Sequence, residues 1–369
     1  MPDPRLTKLA RLLVEHSARV IENEQVAIMG WPEALPLMEA VYEVVLERRG
    51  LPMLLLDYAL TDEILLKKGS PAQIAYVTPA HRLAFETFDA LIKIRAESNT
   101  RTLSSVDSAK QTERRKAIST LLNAQMQRGA AGALKWVVTQ YPTAAYAQDA
   151  EMSLREYEDF VYGACHVADG DEDPVAFWKQ TEAEQQRLVD YLKGKDRVQV
   201  RSANCDLTLS IQGRTFLNAA GHHNLPDGEI YTGPVEDSVN GWVRYSYPAV
   251  TQGREVDGVE FTFENGKVVK ASAQKNEDFL LKTLDTDPGA RYLGEFAIGT
   301  NFGVTRHTKN ILFDEKIGGT IHLAVGAGYP ETGSVNKSAV HWDMLCDMRS
   351  GGEIWVDGEL YYQNGEFKV

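Results

Sequence analysis

The stretch Gln25-Val26-Ala27-Ile28-Met29, a helical run from Pro32 to Arg49 stopped by Gly50, and then Pro52-Met53-Leu54-Leu55-Leu56-Asp57 decides the fold class. Two short apolar runs separated by a helix are the grammar of parallel strands buried on both faces. Reading outward, the pattern repeats. A helix over Thr61 to Lys68 is followed by the strand Asp89-Ala90-Leu91-Ile92-Lys93-Ile94, a polar helix over Asp107 to Gln127, and the strand Leu134-Lys135-Trp136-Val137-Val138. Upstream, Leu6, Leu9, Leu13, Ser17 and Val20 fall at helical spacing, and Asp3-Pro4 opens that run as a cap followed by a first-turn proline. Helices over Ser153 to Ala164 and Pro174 to Leu192 complete the first half. The polar segment Lys193-Gly194-Lys195-Asp196 then marks the expected boundary, with an α/β domain over 1–193 and a β-rich domain over 194–369. Beyond it the period changes. Leu207, Leu209 and Ile211 alternate with polar residues, Phe261 to Val269 reads as a hairpin turning at Asn265-Gly266, and Asp357-Gly358 and Asn364-Gly365 mark further turns. One helix is expected near Asn276 to Leu284. The expected fold class is therefore α/β: an N-terminal mostly parallel α/β domain plus a C-terminal β-rich α+β domain.

Composition sets the outer limits. With 369 residues, 43% hydrophobic and 25% charged, the chain is an ordinary globular protein of a length that favours two domains. Its formal net charge of −13 argues against a nucleic-acid backbone or an anionic membrane as the main partner, while leaving room for bound cations. Cys165, Cys205 and Cys346 are scattered, which fits a reducing compartment and neither a disulfide framework nor a zinc ribbon. No apolar run approaches the roughly 20 residues needed to span a bilayer. Met1 to Val20 does not read as a signal peptide, so a cytoplasmic location is expected.

The first half holds no glycine-rich turn after its first strand and no phosphate loop, and His16, His81 and His166 read as solvated or core-edge residues. The second half concentrates potential metal ligands. His341-Trp342-Asp343 puts an imidazole and a carboxylate two apart, on the same face of a strand. His322 is the polar side chain in the otherwise core-like Thr320-Ile321-His322-Leu323-Ala324-Val325-Gly326. Glu295, within Leu293-Gly294-Glu295-Phe296-Ala297-Ile298-Gly299, faces a steep desolvation cost unless paired or metal-bound. Glu229 sits in Pro226-Asp227-Gly228-Glu229-Ile230-Tyr231. Three carboxylates and two imidazoles suit one or two borderline divalent ions such as zinc, cobalt or manganese. His222, His223 and His307 lie in polar loops and read, like the histidines of the first half, as solvated or core-edge residues, and Cys346 reads as a core cysteine.

These residues sit inside motifs that resemble the aminopeptidase T family of metallopeptidases. The resemblance runs from Asp3-Pro4-Arg5-Leu6 to the end, through Leu225-Pro226-Asp227-Gly228-Glu229-Ile230-Tyr231-Thr232, Leu293-Gly294-Glu295, Asn310 to Glu315, His322 to Gly326, Tyr329-Pro330 and Asn336 to Asp343. It implies a two-metal centre (zinc, cobalt, manganese or magnesium) on the residues matching Glu229, Glu295, His322, His341 and Asp343, lined by Tyr329. It also implies release of N-terminal residues from peptides with a free N-terminus by a metal-activated water, and a homodimer. Within that scheme Glu295 is the expected proton carrier and Tyr329 the expected donor to the oxyanion. The stretch from Tyr329 to His341 is shorter than in typical members, which bears on the substrate pocket. The alternative is a mononuclear iron ring-cleaving dioxygenase of similar fold, using only His322, His341 and Asp343; the presence of Glu229 and Glu295 favours two metals.

Overall fold

The computed structural model describes residues 3–251 and 253–369, and the chain divides into two compact units. The first runs to Trp178 and includes Gly221–Pro226; the second comprises Lys179–Ala220 and Asp227–Val369. The polar Lys193–Asp196 segment thus lies within the chain range of the second unit.

The first unit is built on a five-stranded, wholly parallel sheet in the order Leu51–Leu56, Gln25–Gly30, Ala90–Arg95, Lys135–Gln140, Asn224–Leu225. Four of these strands lie where the apolar runs predict. The fifth is two residues long, too short for any periodicity to reveal. The helix expected from Pro32 is a single 3-10 turn over Pro32–Ala34 followed by Leu35–Glu47. It ends before Gly50, because Arg49 already takes a left-handed φ of 60°. Gly50 serves packing instead: a Cβ there would lie 2.8 Å from Val45 Cγ1 and 2.9 Å from Val20 Cγ1. The core of this unit joins Leu9, Leu12 and Leu13 to Ile28, Ile92, Ile94 and Val41.

The second unit carries an eight-stranded sheet and a five-stranded sheet. The five-stranded sheet runs His341–Asp347, Thr320–Gly326, Leu293–Gly299, Glu229–Thr232, Leu217–Ala219, every pair antiparallel. Its core-facing residues include Ile230, Phe296, Ile298, Ile321, Leu323 and Met344, which join Val198, Val200, Leu207 and Phe261 of the larger sheet in one apolar cluster. Cys346 is buried in that cluster and burial pushes its thiol up, so it behaves as a core residue. Because side chains alternate along a strand, the residues between these core positions project from the other face of the same sheet. That face carries the candidate ligands. Among the described residues, no helix is long and apolar enough to cross a membrane.

Candidate metal centre

Strand register brings the five side chains singled out above onto one patch. Glu295 pairs with Ala324, which pairs with Asp343; Ala297 pairs with His322; Gly299 pairs with Glu229; and Gly326 pairs with His341. Each long functional side chain therefore has an alanine or a glycine beside it on the neighbouring strand. The small neighbours leave the volume into which the long ones converge. At Gly326, φ is 103° and a Cβ would lie 2.0 Å from the Val340 carbonyl oxygen, so only glycine fits there.

The convergence is tight. His322 Nε2 lies 3.3 Å from Glu295 Oε1 and 3.4 Å from Glu229 Oε2, while His341 Nε2 lies 3.4 Å from Glu295 Oε2 and 3.6 Å from Asp343 Oδ1. Two donor groups result, Glu229–Glu295–His322 and Glu295–His341–Asp343, and they share Glu295. Ligand atoms ~2.1 Å from a tetrahedrally bound ion stand ~3.4 Å from one another, so this spacing suits metal ligation. Two further observations agree. Glu229 Oε2 is buried without a hydrogen-bond partner, a costly arrangement for a carboxylate oxygen unless a cation engages it. His341 Nδ1 is 2.8 Å from the Ala327 carbonyl oxygen, which can only accept, so that nitrogen keeps a proton and Nε2, facing the cluster, is the one that would ligate an ion displacing its proton. The residues fit a divalent metal centre.

Electrostatics of the protein groups alone point the same way. Burial would lower both imidazoles, but the facing carboxylates prevail and hold His322 at about 9 and His341 at about 10. Burial raises Glu229 and Asp343. Glu295 is also buried, yet hydrogen bonds from both histidines keep its carboxyl low. Groups that bind protons this strongly at neutral pH form a pronounced cation sink.

Three neighbours were not legible as site residues. Lys316 is 1% exposed, and its Nζ lies 2.5 Å from Glu229 Oε1, 2.8 Å from Glu315 Oε1 and 3.3 Å from Asp227 Oδ1. Glu315 also groups with His322 and Asp343. His307, read from sequence as a solvated or core-edge histidine without a role, is largely buried: its Nε2 lies 3.2 Å from Asp314 Oδ2, and its ring stacks on Tyr247 at 5.0 Å. Glu315 lies at the end of the Asn310 to Glu315 motif with no role attached to it, and Lys316 and His307 carry no signal of their own. His307 and Asp314 line a cavity of about 110 Å³ with Val250, Leu345, His341 and Asp343. Tyr329 is exposed, its ring 5.2 Å from that of His341 and 5.5 Å from that of Tyr231. Although the residue as a whole is partly open to water, the packing around its hydroxyl, with Glu295 and Asp343 nearby, raises that group far above the ordinary value, so it stays protonated.

Comparison with known proteins accounts for nearly the whole chain. Aminopeptidase 2 of Geobacillus stearothermophilus is 30% identical over 258 residues, covering 60% of this chain and 61% of that protein. Aminopeptidase AmpS of Bacillus subtilis is 27% identical over 310 residues, 73% of this chain and 74% of the relative. Aminopeptidase T of Thermus aquaticus is 32% identical over 214 residues, 51% and 52% of the two chains. The aligned stretch thus spans less than two thirds of the first and third of these relatives. The solved structure of wild-type AmpT from Thermus thermophilus superposes with a TM-score of 0.84, covering 99% of both chains at 22% identity, and so shares the two-part α/β fold. The dioxygenase alternative finds no support among these relatives. Residues 2–367 match the model of the thermophilic metalloprotease (M29) family, and the chain belongs to that family.

Proposed function

We propose that this protein is a metal-dependent aminopeptidase that releases N-terminal residues from peptides with a free α-amine, using two divalent cations held by Glu229, Glu295, His322, His341 and Asp343. The observation that carries this reading is the position of Glu295, whose two oxygens face different imidazoles at 3.3 and 3.4 Å and so link two donor groups into one centre. The names of the relatives support the reaction class. Bound divalent ions would acidify water and polarise a carbonyl. Zinc, cobalt, manganese and magnesium all remain in scope, and a cytoplasmic homodimer belongs to the same reading.

The chain's own groups supply the rest. Tyr329 keeps its proton and is the donor for the developing oxyanion. The 110 Å³ cavity beside His341 and Asp343, walled by Val250 and Leu345, receives the substrate's first side chain. Glu295 is the proposed proton carrier. One observation favours Glu315 for that step instead: its side chain is 16% exposed, whereas that of Glu295 is 5% exposed. Comparing Glu315→Gln with Glu295→Gln separates the two, since loss of a carrier alone lowers kcat and leaves metal content intact.

The deciding experiment is metal analysis of the purified protein beside a panel of aminoacyl anilides and their N-acetylated counterparts. Two divalent ions per chain, chelator-sensitive turnover and inert acetylated substrates are expected. Turnover in metal-free protein, or equal cleavage of acetylated substrates, refutes the reading.

A further inference from the structure

A lysine with 1% exposure, set among three carboxylates, calls for a reason. Buried ion pairs seldom repay their desolvation, and an apolar residue of similar volume is often at least as stabilising. The ammonium here is also asymmetric in what it does to Glu229. It takes Oε1 as a hydrogen-bond acceptor at 2.5 Å, while Oε2 stays without a hydrogen bond, 3.4 Å from His322 Nε2. The surroundings hold it in place. Asn301 donates its backbone N–H to the Lys316 carbonyl at 3.0 Å and its side-chain amide to the Asp227 carbonyl at 2.8 Å, tying the two segments together. Gly228, between Asp227 and Glu229, has a φ of 117° and no room for a side chain: a Cβ would stand 2.7 Å from Asn301 Cβ.

We infer that Lys316 is a positioning residue of the metal centre, a tethered cation that engages one oxygen of Glu229 so that the other alone is offered to a metal ion. The inference rests on the two-metal reading. It also completes the charge arithmetic of that reading. Asp227, Glu229, Glu295, Glu315 and Asp343 carry five formal negative charges, which two dications and one ammonium balance with both histidines neutral. With the ligand set alone, three carboxylates leave two dications one charge in excess. Lys316 brings in Asp227 and Glu315 as its own partners and leaves the complete centre neutral, the arrangement that low-dielectric surroundings favour.

The test is a double-mutant cycle on metal binding. Lys316→Met keeps length and removes charge. Isothermal titration of the metal-free proteins with Mn²⁺ should show two ions in the wild type. In K316M one of them should be weakened about 10- to 100-fold, the cost typical of losing a group that orients a ligand. In a Glu229→Gln background the same change should add little, because the lysine acts through that carboxylate. The electron paramagnetic resonance spectrum of the Mn²⁺-loaded protein should change in K316M as well. Thermal unfolding of the metal-free forms separates out a merely structural role, which would lower the midpoint while leaving affinity per folded molecule unchanged. Lys316→Gln answers the same question if K316M does not fold. Wild-type affinity for both ions in the folded variant, or an effect fully additive with E229Q, overturns the inference and leaves the two-metal reading standing. A wild type that binds no divalent ion overturns both.

Discussion

The parallel sheet of the first unit and the five-stranded antiparallel sheet of the second have the same number of strands and opposite chemical capacity. In the first, the strand Gln25–Gly30 is buried from Val26 onward, and Ile28 and Ala27 belong to different apolar clusters on its two sides. Both faces are spent on packing. In the second, Leu293–Gly299 and Thr320–Gly326 are buried throughout, yet only Leu293, Phe296 and Ile298 of the one and Ile321, Leu323 and Val325 of the other join the apolar cluster, and the rest carry Glu295 and His322. A sheet with helices on both faces has no surface left for converging polar groups, whereas one that packs on a single face can collect them on the other. Burial alone does not separate the two cases; the periodicity of what is buried does.

The sharpest way to break that contrast is to neutralise the shared carboxylate. Glu295→Gln should cut peptide hydrolysis by about two orders of magnitude or more, with Glu229→Gln next. Both should leave the far-ultraviolet circular dichroism unchanged, since each change is nearly isosteric. Activity near wild type in either variant would show that this sheet face is not the reactive one. Tyr329→Phe should lower kcat about 100-fold with little change in KM, the cost of one oxyanion donor; a change confined to KM would make it a binding residue.

A core substitution probes the other side of the comparison. Ile92→Ala, at the centre of the parallel sheet, should lose about 2–5 kcal/mol in denaturant unfolding. Metal content of the molecules that remain folded should not change, because no donor lies in that sheet. Loss of ions from the folded fraction would couple the two sheets. The smallest effect concerns pH. Burial would raise Glu236, but the Val335 N–H at 2.7 Å and the Arg214 guanidinium hold it below its ordinary value of 4.5. The Ala339 N–H at 2.7 Å does the same for Asp287, below 3.8. A carboxyl lowered by folding contributes stability above its unfolded value and loses it as pH falls through the folded one. Hydrogen exchange at Val335 and Ala339, corrected for intrinsic rate, should therefore be level from pH 7 to 5 and accelerate below about pH 4.5. Acceleration on raising the pH would reverse the assignment.

How much of this was legible follows from the range of each interaction. The long strands announced themselves because their burial is local and periodic, and Pro174–Leu192 lies where its spacing put it. The two-residue strand Asn224–Leu225 did not, since its place depends on pairing with Val138 and Thr139, more than eighty positions upstream. In the site, Glu295 and His322 stood out as polar residues within apolar runs, a conflict that one strand displays on its own. Lys316 and His307 did not, because their turn sequences are polar and nothing local distinguishes a buried cation from a solvated one. The helix stop at Gly50 is a mixed case: the glycine marks the right neighbourhood, but Arg49 makes the reversal and Gly50 answers a steric demand from Val20 and Val45.

The alanines and glycines that flank the proposed ligands carry a consequence for descent. Ala297 sits beside His322, and Ala324 sits between Glu295 and Asp343, so an isopropyl group in place of the Ala324 methyl would fill the space those two carboxylates share. A lineage could therefore lose its chemistry by Ala324→Val while every glutamate, histidine and aspartate stayed in place. Such a descendant would still satisfy any search for the ligand motifs and would be taken for a living enzyme. Among distant relatives, the smallest residues on this face are the ones to inspect before an activity is inherited on paper.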